Sequence, residues 1–460
     1  MHTLGRGTAA LALWALWASQ TGAQAIFIQD ATIENFSFVQ VYVGRNPYTG
    51  VNGSPTVSFG QGGYADHVFS FNSSSVNVLY GGRVGGIDAY DSSSILFGDG
   101  SRVDGVTAYD TSHVTVASNA EFAQITGRDS AQITVNGGIL NGEVAAAGHS
   151  SATINDGYLG FAGAAENGRV TMNGGTVGTI SAASGGDGEA QFALFGGTVT
   201  GDAITGDGGT LVISDGEIVG NLLTHGGSTF MLGGRVGGSV VLSSELGGGE
   251  IFLKNGEVVG NALVTHAGTL RLTGATIQGS VVASGIGEVD IADGVVDGSV
   301  IANGISTIII AGGTILGNLI ENGGSIVHIS GGQIDDPSAL GWYVNDTSLL
   351  DIEGFGLADT LLDPRFYGFL DPNFDDTPLP YNQYSEYLLS GTLLDGASVD
   401  GKLLFVENGT GARFNLINEP GGPGGGTVPE PGSIGLVAAG CVVLVVTRRF
   451  VSRTPKPRTR

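Results

Sequence analysis

The segment Leu211-Val-Ile-Ser-Asp-Gly-Glu-Ile-Val-Gly220 carries the pattern apolar-x-apolar-x-(Gly/Asp/Asn)-Gly-x-apolar-x-Gly. The pattern returns in Ile251-Phe-Leu-Lys-Asn-Gly-Glu-Val-Val-Gly260 and in Ile308-Ile-Ile-Ala-Gly-Gly-Thr-Ile-Leu-Gly317. Alternation of apolar and other residues is the period of a β-strand, and Gly, Asn and Asp favour positions where the chain turns. These segments therefore predict short strands separated by tight turns.

One apolar column fixes the register of the repeat, because its members recur at intervals of roughly 19 residues. A unit of this length cannot bury a core alone, but stacked copies join their apolar columns into one core. The repeat therefore predicts an all-β fold, a parallel β-helix of about 14 rungs. The column consists of Val84, Val103, Phe122, Leu140, Leu159, Val177, Val199, Ile218, Val236, Val258, Ile277, Val296, Ile315 and Ile334.

A second column is glycine, and the residue after each glycine is small and polar. We expect a right-handed coil, because the hexapeptide period typical of left-handed solenoids is missing. Helical repeats are disfavoured, since glycine costs about 1 kcal/mol at each helical position. The paired positions are Gly201-Asp202, Gly220-Asn221, Gly238-Ser239, Gly260-Asn261, Gly279-Ser280, Gly298-Ser299 and Gly317-Asn318.

The composition excludes several classes of protein. Among 460 residues there are 82 Gly, one Cys, 43 acidic and 18 basic side chains, for a net charge of −25. Nucleic-acid binding normally requires a basic surface, so no nucleic-acid partner is expected. A single Cys rules out a disulfide framework, and the regular apolar columns argue against disorder.

Composition divides the remainder of the chain around the repeats of residues 76–336. We expect residues 26–75 to form an N-terminal cap or irregular first rungs. Residues 337–418 are rich in Pro and aromatic residues and predict a C-terminal cap, with closing strands over 387–396 and 402–406. Exposed solenoid ends must be covered, because their edges offer unpaired backbone groups to other chains.

The two chain ends have the composition of targeting segments. Residues 1–25 predict a secretory signal peptide with Ala23 and Ala25 at its cleavage site. Residues 419–427 are a Gly/Pro linker, and residues 434–446 predict a short apolar transmembrane helix. The basic tail of residues 451–460 would stay in the cytoplasm. Without residues 1–25 and 428–460, which hold one acidic and seven basic side chains, the net charge is −31.

Residues 428–450 resemble the PEP-CTERM sorting signal of Gram-negative bacteria. The resemblance rests on Val428-Pro429-Glu430-Pro431, the apolar segment after it, and Arg448 with Arg449. It implies export through the Sec route, transient anchoring in the inner membrane, removal of the tail by an exosortase-type peptidase, and delivery to the cell surface. Separately, the segment Gly233-Gly-Arg-Val-Gly-Gly-Ser-Val240 is similar to the passenger repeats of autotransporter adhesins. This second resemblance covers residues 76–335.

No catalytic, cofactor-binding or metal site is predicted from the body of the chain. Arg271 and Asp290 stack one rung apart, either as a catalytic ion pair or as a solvated cross-rung pair. Glu217, Arg235 and Glu257 alternate in charge and predict register support.

Two further candidates for metal binding are weak. His225 and His266 precede turns, but their repeat offsets differ by one residue, so turn positions are favoured over a metal site. The stretch from Asp371 to Asp376 begins like a calcium loop but lacks the glycine and glutamate that such a loop requires.

The leading hypothesis is an exported, non-enzymatic structural or adhesive rod that contacts extracellular polysaccharide or copies of itself through many weak sites. The alternative is a carbohydrate-active β-helix enzyme, either a polysaccharide lyase or a hydrolase. An acidic groove with a basic residue at its centre would favour the enzyme. A flat surface lined by Ser, Thr and Gly would favour the rod.

Overall fold

The computed structural model describes residues 18–419, apart from 20–21, 28, 48–49, 51, 118, 140–141, 186–187, 245–247, 335–341, 367–382, 400–401 and 408–410. The described chain is an all-β parallel solenoid of about 16 turns and contains no helix. The predicted all-β parallel β-helix is therefore confirmed, with more turns than the expected 14, and its right-handed sense stays a prediction. The predicted signal peptide (except residues 18–19 and 22–25), the sorting signal and the apolar helix of residues 434–446 lie outside the described residues.

The strands are short, and each turn of the coil contributes two or three of them. The first 17 are β1 Ala18–Ser19, β2 Gly22–Phe27, β3 Ala31–Ile33, β4 Ser37–Val43, β5 Thr56–Phe59, β6 Tyr64–Ser70, β7 Ser75–Val78, β8 Arg83–Ala89, β9 Ser94–Phe97, β10 Arg102–Ala108, β11 His113–Val116, β12 Glu121–Gly127, β13 Gln132–Ile139, β14 Glu143–Ala146, β15 Ser151–Ala165, β16 Arg169–Met172 and β17 Thr176–Ala183.

The remaining strands continue the same coil and then close it. They are β18 Gln191–Leu194, β19 Thr198–Val199, β20 Ala203–Thr205, β21 Thr210–Ile213, β22 Glu217–Ile218, β23 Leu222–Thr224, β24 Ser228–Met231, β25 Arg235–Val236, β26 Val240–Ser244, β27 Glu250–Leu253, β28 Glu257–Val258, β29 Ala262–His266, β30 Thr269–Ile277, β31 Val281–Ala283, β32 Glu288–Val296, β33 Val300–Ala302, β34 Thr307–Ile315, β35 Leu319–Glu321, β36 Ile326–Ile334, β37 Trp342–Val344, β38 Leu349–Phe366, β39 Gln383–Leu393, β40 Leu403–Glu407 and β41 Arg413–Asn418.

Three parallel faces run along the coil. Face A stacks β7, β9 and β11 and continues through β24 and β36 to β41. Face B is narrow and contains the Val84 column. Face C stacks β4, the second halves of β6, β8 and β10, and later β20, β23, β26, β29, β31, β33 and β35. Residues alternate between the interior and solvent on every face, so the interior is a column of aliphatic side chains.

The predicted apolar column lies inside one shaft. Val84 pairs with Val103, Val103 with Phe122, and every described step from Leu159 to Ile334 pairs in the same way. Leu140 lies outside the described residues. The ladder also continues before residue 76, because Ala65 pairs with Val84 and Phe38 with Ala65. Residues 37–70 therefore form rungs in the same register.

The glycine column and the polar column after it have separate physical causes. A Cβ on Gly260 would lie 2.7 Å from the carbonyl oxygen of Gly238, the same position one turn earlier, so adjacent turns approach too closely for a side chain. The next residue supplies an acceptor to the turn that follows. The backbone N–H of Ser280 donates to Asn261 Oδ1 at 2.8 Å, and the same bond recurs from Asp202 to Asn318 at 2.7–3.2 Å.

Two repeats have intervals of 22 residues, Val177 to Val199 and Val236 to Val258, and they and the chain ends depart from the regular coil. The longer connection in each joins a strand of face C to the next strand of face A, β17 to β18 and β26 to β27. At the C-terminal end, β39 pairs antiparallel with both β38 and β40 and covers the edge of face C. At the other end, Ala23 and Ala25 lie in β2, where Ala23 pairs with Ala18 of β1 and Ala25 with Val41.

Candidate functional site

A polar cleft of about 320 Å³ opens on the outer side of face C and crosses four consecutive turns, β6, β8, β10 and β12. The outward residues of neighbouring turns build it, since equivalent positions stack directly along the coil. Its lining consists of His67, Gly86, Ile87, Asp88, Gly105, Val106, Thr107, Tyr109, Gln124, Thr126 and Arg128.

Glycine forms the floor of the cleft. His67, Gly86, Gly105 and Gln124 occupy one outward column on successive turns. A Cβ on Gly105 would have no neighbour within 4 Å, and its φ is outside the left-handed region, so neither packing nor backbone conformation requires glycine there. A Cβ on Gly86 would lie 2.6 Å from His67 Nδ1. The missing side chains thus keep an open, flat floor between His67 and Gln124.

Hydrogen-bonding groups stand at both ends of this floor. His67 Nε2 lies 3.1 Å from Asp88 Oδ2, and the two side chains are 36% and 23% exposed. At the other end Gln124 Nε2 donates to Thr126 Oγ1 at 3.3 Å. These four side chains line the cleft and are partly exposed, so the donor and acceptor positions that these two pairs do not use are available to a polar ligand.

A stack of aromatic rings ends at the cleft, which is lined by the last ring, that of Tyr109. Phe71, Tyr90 and Tyr109 stack on three turns with centroid separations of 5.2 and 4.9 Å and interplanar angles of 8° and 3°. Burial raises the pKa of the Tyr90 hydroxyl, and the negative charges of Asp88 and Asp110 add to the shift. Arg128 follows Tyr109 on the next turn, since its backbone N–H donates to the carbonyl oxygen of Ala108. Tyr109 therefore presents one aromatic ring to the cleft beside one cation, Arg128.

The cleft has few of the groups that sugar hydrolysis needs. Glycoside hydrolases use a pair of carboxylates on either side of the scissile bond. Among the lining residues of the cleft, Asp88 is the only carboxylate. The arrangement therefore suits binding through hydrogen bonds and ring stacking better than hydrolysis.

The predicted charge ladders are present and lie on the surface. Arg235 NH1 is 2.6 Å from Glu217 Oε1, and Arg235 Nε is 3.4 Å from Glu257 Oε2. Arg271 and Asp290 are adjacent in register, but the ion pair of Arg271 within 4 Å is with Glu250, at 3.7 Å. Burial raises the pKa of Asp290, partly offset by Arg271. Glu217, Arg235 and Glu257 therefore form the predicted cross-rung ladder, whereas Arg271 pairs with Glu250.

The two histidines of the turns do not form a site together. His225 Nδ1 lies 2.7 Å from Ser243 Oγ, and Ser243 pairs with Thr265, so His266 is one position further along its own turn. In the described part of the chain, no group of three His, Cys, Asp or Glu side chains is arranged to hold a metal ion. The candidate calcium stretch at residues 371–376 and the sorting-signal residues lie outside the described residues.

Sequence reasoning missed a second outward feature, an aliphatic stripe on face C. The second residue of each face C strand from β20 to β35 points outward and is partly exposed, while both neighbours are buried. Unbroken apolar triplets such as Val300–Ala302 were the available signal, since a strand with one solvated face should alternate. The stripe consists of Ile204, Leu223, Val241, Leu263, Val282, Ile301 and Ile320.

No protein-family model, curated protein or solved structure matches the chain. Within the described ranges, no helix has the length and apolar character needed to cross a membrane.

Proposed function

We propose that the chain is an exported, non-enzymatic structural or adhesive rod, sorted by its C-terminal signal to the cell surface or to an extracellular polysaccharide matrix. The observation that carries the proposal is the uninterrupted coil of about 16 turns. Such a coil presents outward side chains at a spacing of about 4.8 Å over a long distance, which suits many weak contacts with a repetitive polymer.

Sorting rests on the sequence of residues 428–450 and is tested in cells. In a bacterium that has an exosortase-type peptidase, replacing Pro429, Glu430 and Pro431 with alanine should leave an unprocessed chain in the inner-membrane fraction. Replacing Arg458 in the tail with alanine is the matched control and should leave sorting unchanged. Normal processing and release of the triple variant would contradict the proposed address.

The cleft supports contact with saccharide. A sugar ring combines an apolar face, which stacks on aromatic rings, with hydroxyl groups that bond to side chains such as Asp88 and Gln124. The full chain should therefore bind acidic or neutral bacterial polysaccharides without releasing new reducing or unsaturated ends. Tyr109→Ala should weaken binding, whereas Tyr158→Ala, an exposed tyrosine outside the cleft, should not. Sustained production of new chain ends would overturn the non-enzymatic proposal.

The alternative of a polysaccharide lyase has one specific observation in its favour. His67 is paired with Asp88 at 3.1 Å in a cleft that also contains Tyr109 and Arg128. A base beside a cation is the arrangement that proton abstraction next to a carboxylate requires. Absorbance from unsaturated uronic ends that disappears in His67→Gln would establish this alternative.

A further inference from the structure

We propose that the aliphatic stripe of face C is a self-association surface, on which a second copy of this chain packs face to face in antiparallel orientation. The proposal refines the suggested role as a rod that contacts neighbouring copies, and it names the surface involved. Seven consecutive turns expose one aliphatic side chain each, from Ile204 to Ile320. A row of this kind is uncommon on a solvated sheet face.

The borders of the stripe are polar and almost free of charge. One border is the hydrogen-bonded ladder from Asp202 to Asn318. The residues at the other border, two positions after each stripe residue, are Gly206, His225, Ser243, Thr265, Ser284, Asn303 and Asn322. Among the described residues of these two borders, the only carboxylate is Asp202, at the first turn.

The charge of the chain argues for this surface as the contact between copies. A net charge of −25 makes most approaches of two copies repulsive. The stripe with its borders is a region where that repulsion is smallest and apolar burial is available. An antiparallel arrangement also keeps apart the N-terminal halves, where Asp91, Asp110 and Asp129 stack on successive turns.

The constant spacing of the stripe residues favours a second solenoid as the partner over a protein with an irregular surface. Side chains repeat along the stripe at the rung spacing of about 4.8 Å. A partner with the same period can set each of its side chains opposite an equivalent one along the whole stripe, as identical sheets do when they pack face to face. A two-fold axis at the central turn then makes the contact self-complementary, because each side chain meets the equivalent surface of the other copy.

The size of the surface predicts a weak complex. Five residues across and seven turns along give about 17 Å by 34 Å, or roughly 580 Å² per copy. Stable specific interfaces bury about 800 Å² per partner, so this contact lies below that size. We therefore expect rapid, reversible pairing in dilute solution and stronger association where many rods are held together.

Site-directed cross-linking of the full chain in a Cys441→Ser background tests the geometry directly. Leu263 is the fourth of the seven stripe residues, so it lies at the two-fold axis. In Leu263→Cys, a short bismaleimide should join two chains, because facing sheets lie about 10 Å apart. Ile204→Cys should not link to itself but should link to Ile320→Cys when the two are mixed. Val219→Cys, exposed on face B, is the matched control and should give a several-fold lower yield.

Each alternative outcome would overturn the proposal. Equal yields from Leu263→Cys and Val219→Cys would show that the stripe is not the contact. Efficient linkage of Ile204→Cys to itself would show parallel packing. Binding to phosphatidylcholine vesicles that Leu263→Glu abolishes, without cross-linking of Leu263→Cys, would assign the stripe to a lipid surface. The cross-linking is done in vitro, so its failure leaves the proposed export untouched, and failed sorting leaves the cross-linking result intact.

Discussion

The buried carboxyl of Glu321 offers the sharpest prediction of stability. Glu321 ends β35, points into the core and is fully buried. Neither of its carboxyl oxygens has a hydrogen-bond partner. It stacks between Ala302 and Val344, so no polar side chain on its own column can accept or donate. Burial, together with the charge of Asp351, raises its pKa well above the usual value of 4.5.

The sign of the pH effect follows from this raised pKa. Below about pH 4.5 the carboxyl is protonated in both the folded and the unfolded chain, and folding incurs no ionisation cost. Above that pH the unfolded chain loses the proton while the folded chain keeps it, so stability falls as pH rises towards the folded pKa. The slope in that window is about 1.4 kcal/mol per pH unit for one proton.

Two substitutions distinguish the energetic cost of the ionisable group from the cost of burying a polar side chain. Glu321→Met has a similar size, carries no titratable group and needs no hydrogen bond, so it should be more stable than the native chain at pH 7 by a few kcal/mol. Glu321→Gln should lose the pH slope but keep the cost of a buried polar group, about 1–3 kcal/mol. Glu288→Gln, at an exposed site in β32, is the matched control and should change little.

Urea unfolding at several values between pH 5 and pH 8 provides the assay. Trp342 lies in β37, pairs with Leu319 of β35 and is buried, so its fluorescence reports on the turns around Glu321. The difference in unfolding free energy between Glu321→Met and the native chain should grow as pH rises. A difference that stays constant or shrinks over this range would refute the assignment of Glu321 to the core.

Three further perturbations test the coil. Gly260→Ala should destabilise the chain by about 1–3 kcal/mol in thermal unfolding, because its Cβ would meet the backbone of the previous turn. Gly105→Ala places its Cβ in open space and should be nearly neutral. Equal effects of the two variants would contradict the close approach of the turns at Gly260. Asn261→Ala should lower the free energy of unfolding by about 0.5–1.5 kcal/mol through loss of one hydrogen bond to the next turn. Asn261→Ser should retain most of this stability, because serine also supplies an acceptor. Equal losses in the two variants would contradict the hydrogen-bonded ladder. Arg235→Ala should lower the free energy of unfolding by no more than about 1 kcal/mol, and by less at high salt, because the ion pairs are exposed. A larger loss of stability that does not depend on salt would contradict a surface role.

The repeat period made the coil predictable from sequence. The position of Val84 recurs with an apolar residue at each interval, and only a stacked arrangement gives that column a common environment. The small polar residue after each glycine was also visible, although its hydrogen bond to the next turn emerged only from the structure. Residues 26–75 were predicted only as a cap or irregular first rungs, because Phe38 and Ala65 of the column are 27 residues apart instead of about 19.

The surface features were harder to predict because they depend on which side of each strand faces solvent. His67, Asp88 and Arg128 meet only when successive turns of the coil are stacked, and none of them belongs to a local motif. The aliphatic stripe was hidden because triplets such as Leu319–Glu321 contain no clear alternation. Once the register is known, the central residue of each triplet must point outward.

Distances between spin labels along face A measure the coil most directly. Leu96, Thr115 and Thr134 occupy one outward column, and Phe230 lies on the same column further along. In a Cys441→Ser background, labels at Leu96 and Phe230 span seven turns, which predicts about 34 Å. Moving the first label to Thr115 and then to Thr134 should shorten the distance by about 4.8 Å each time. Uneven steps, or a distance that does not fall by one rung for each repeat of the sequence, would contradict the stacked coil.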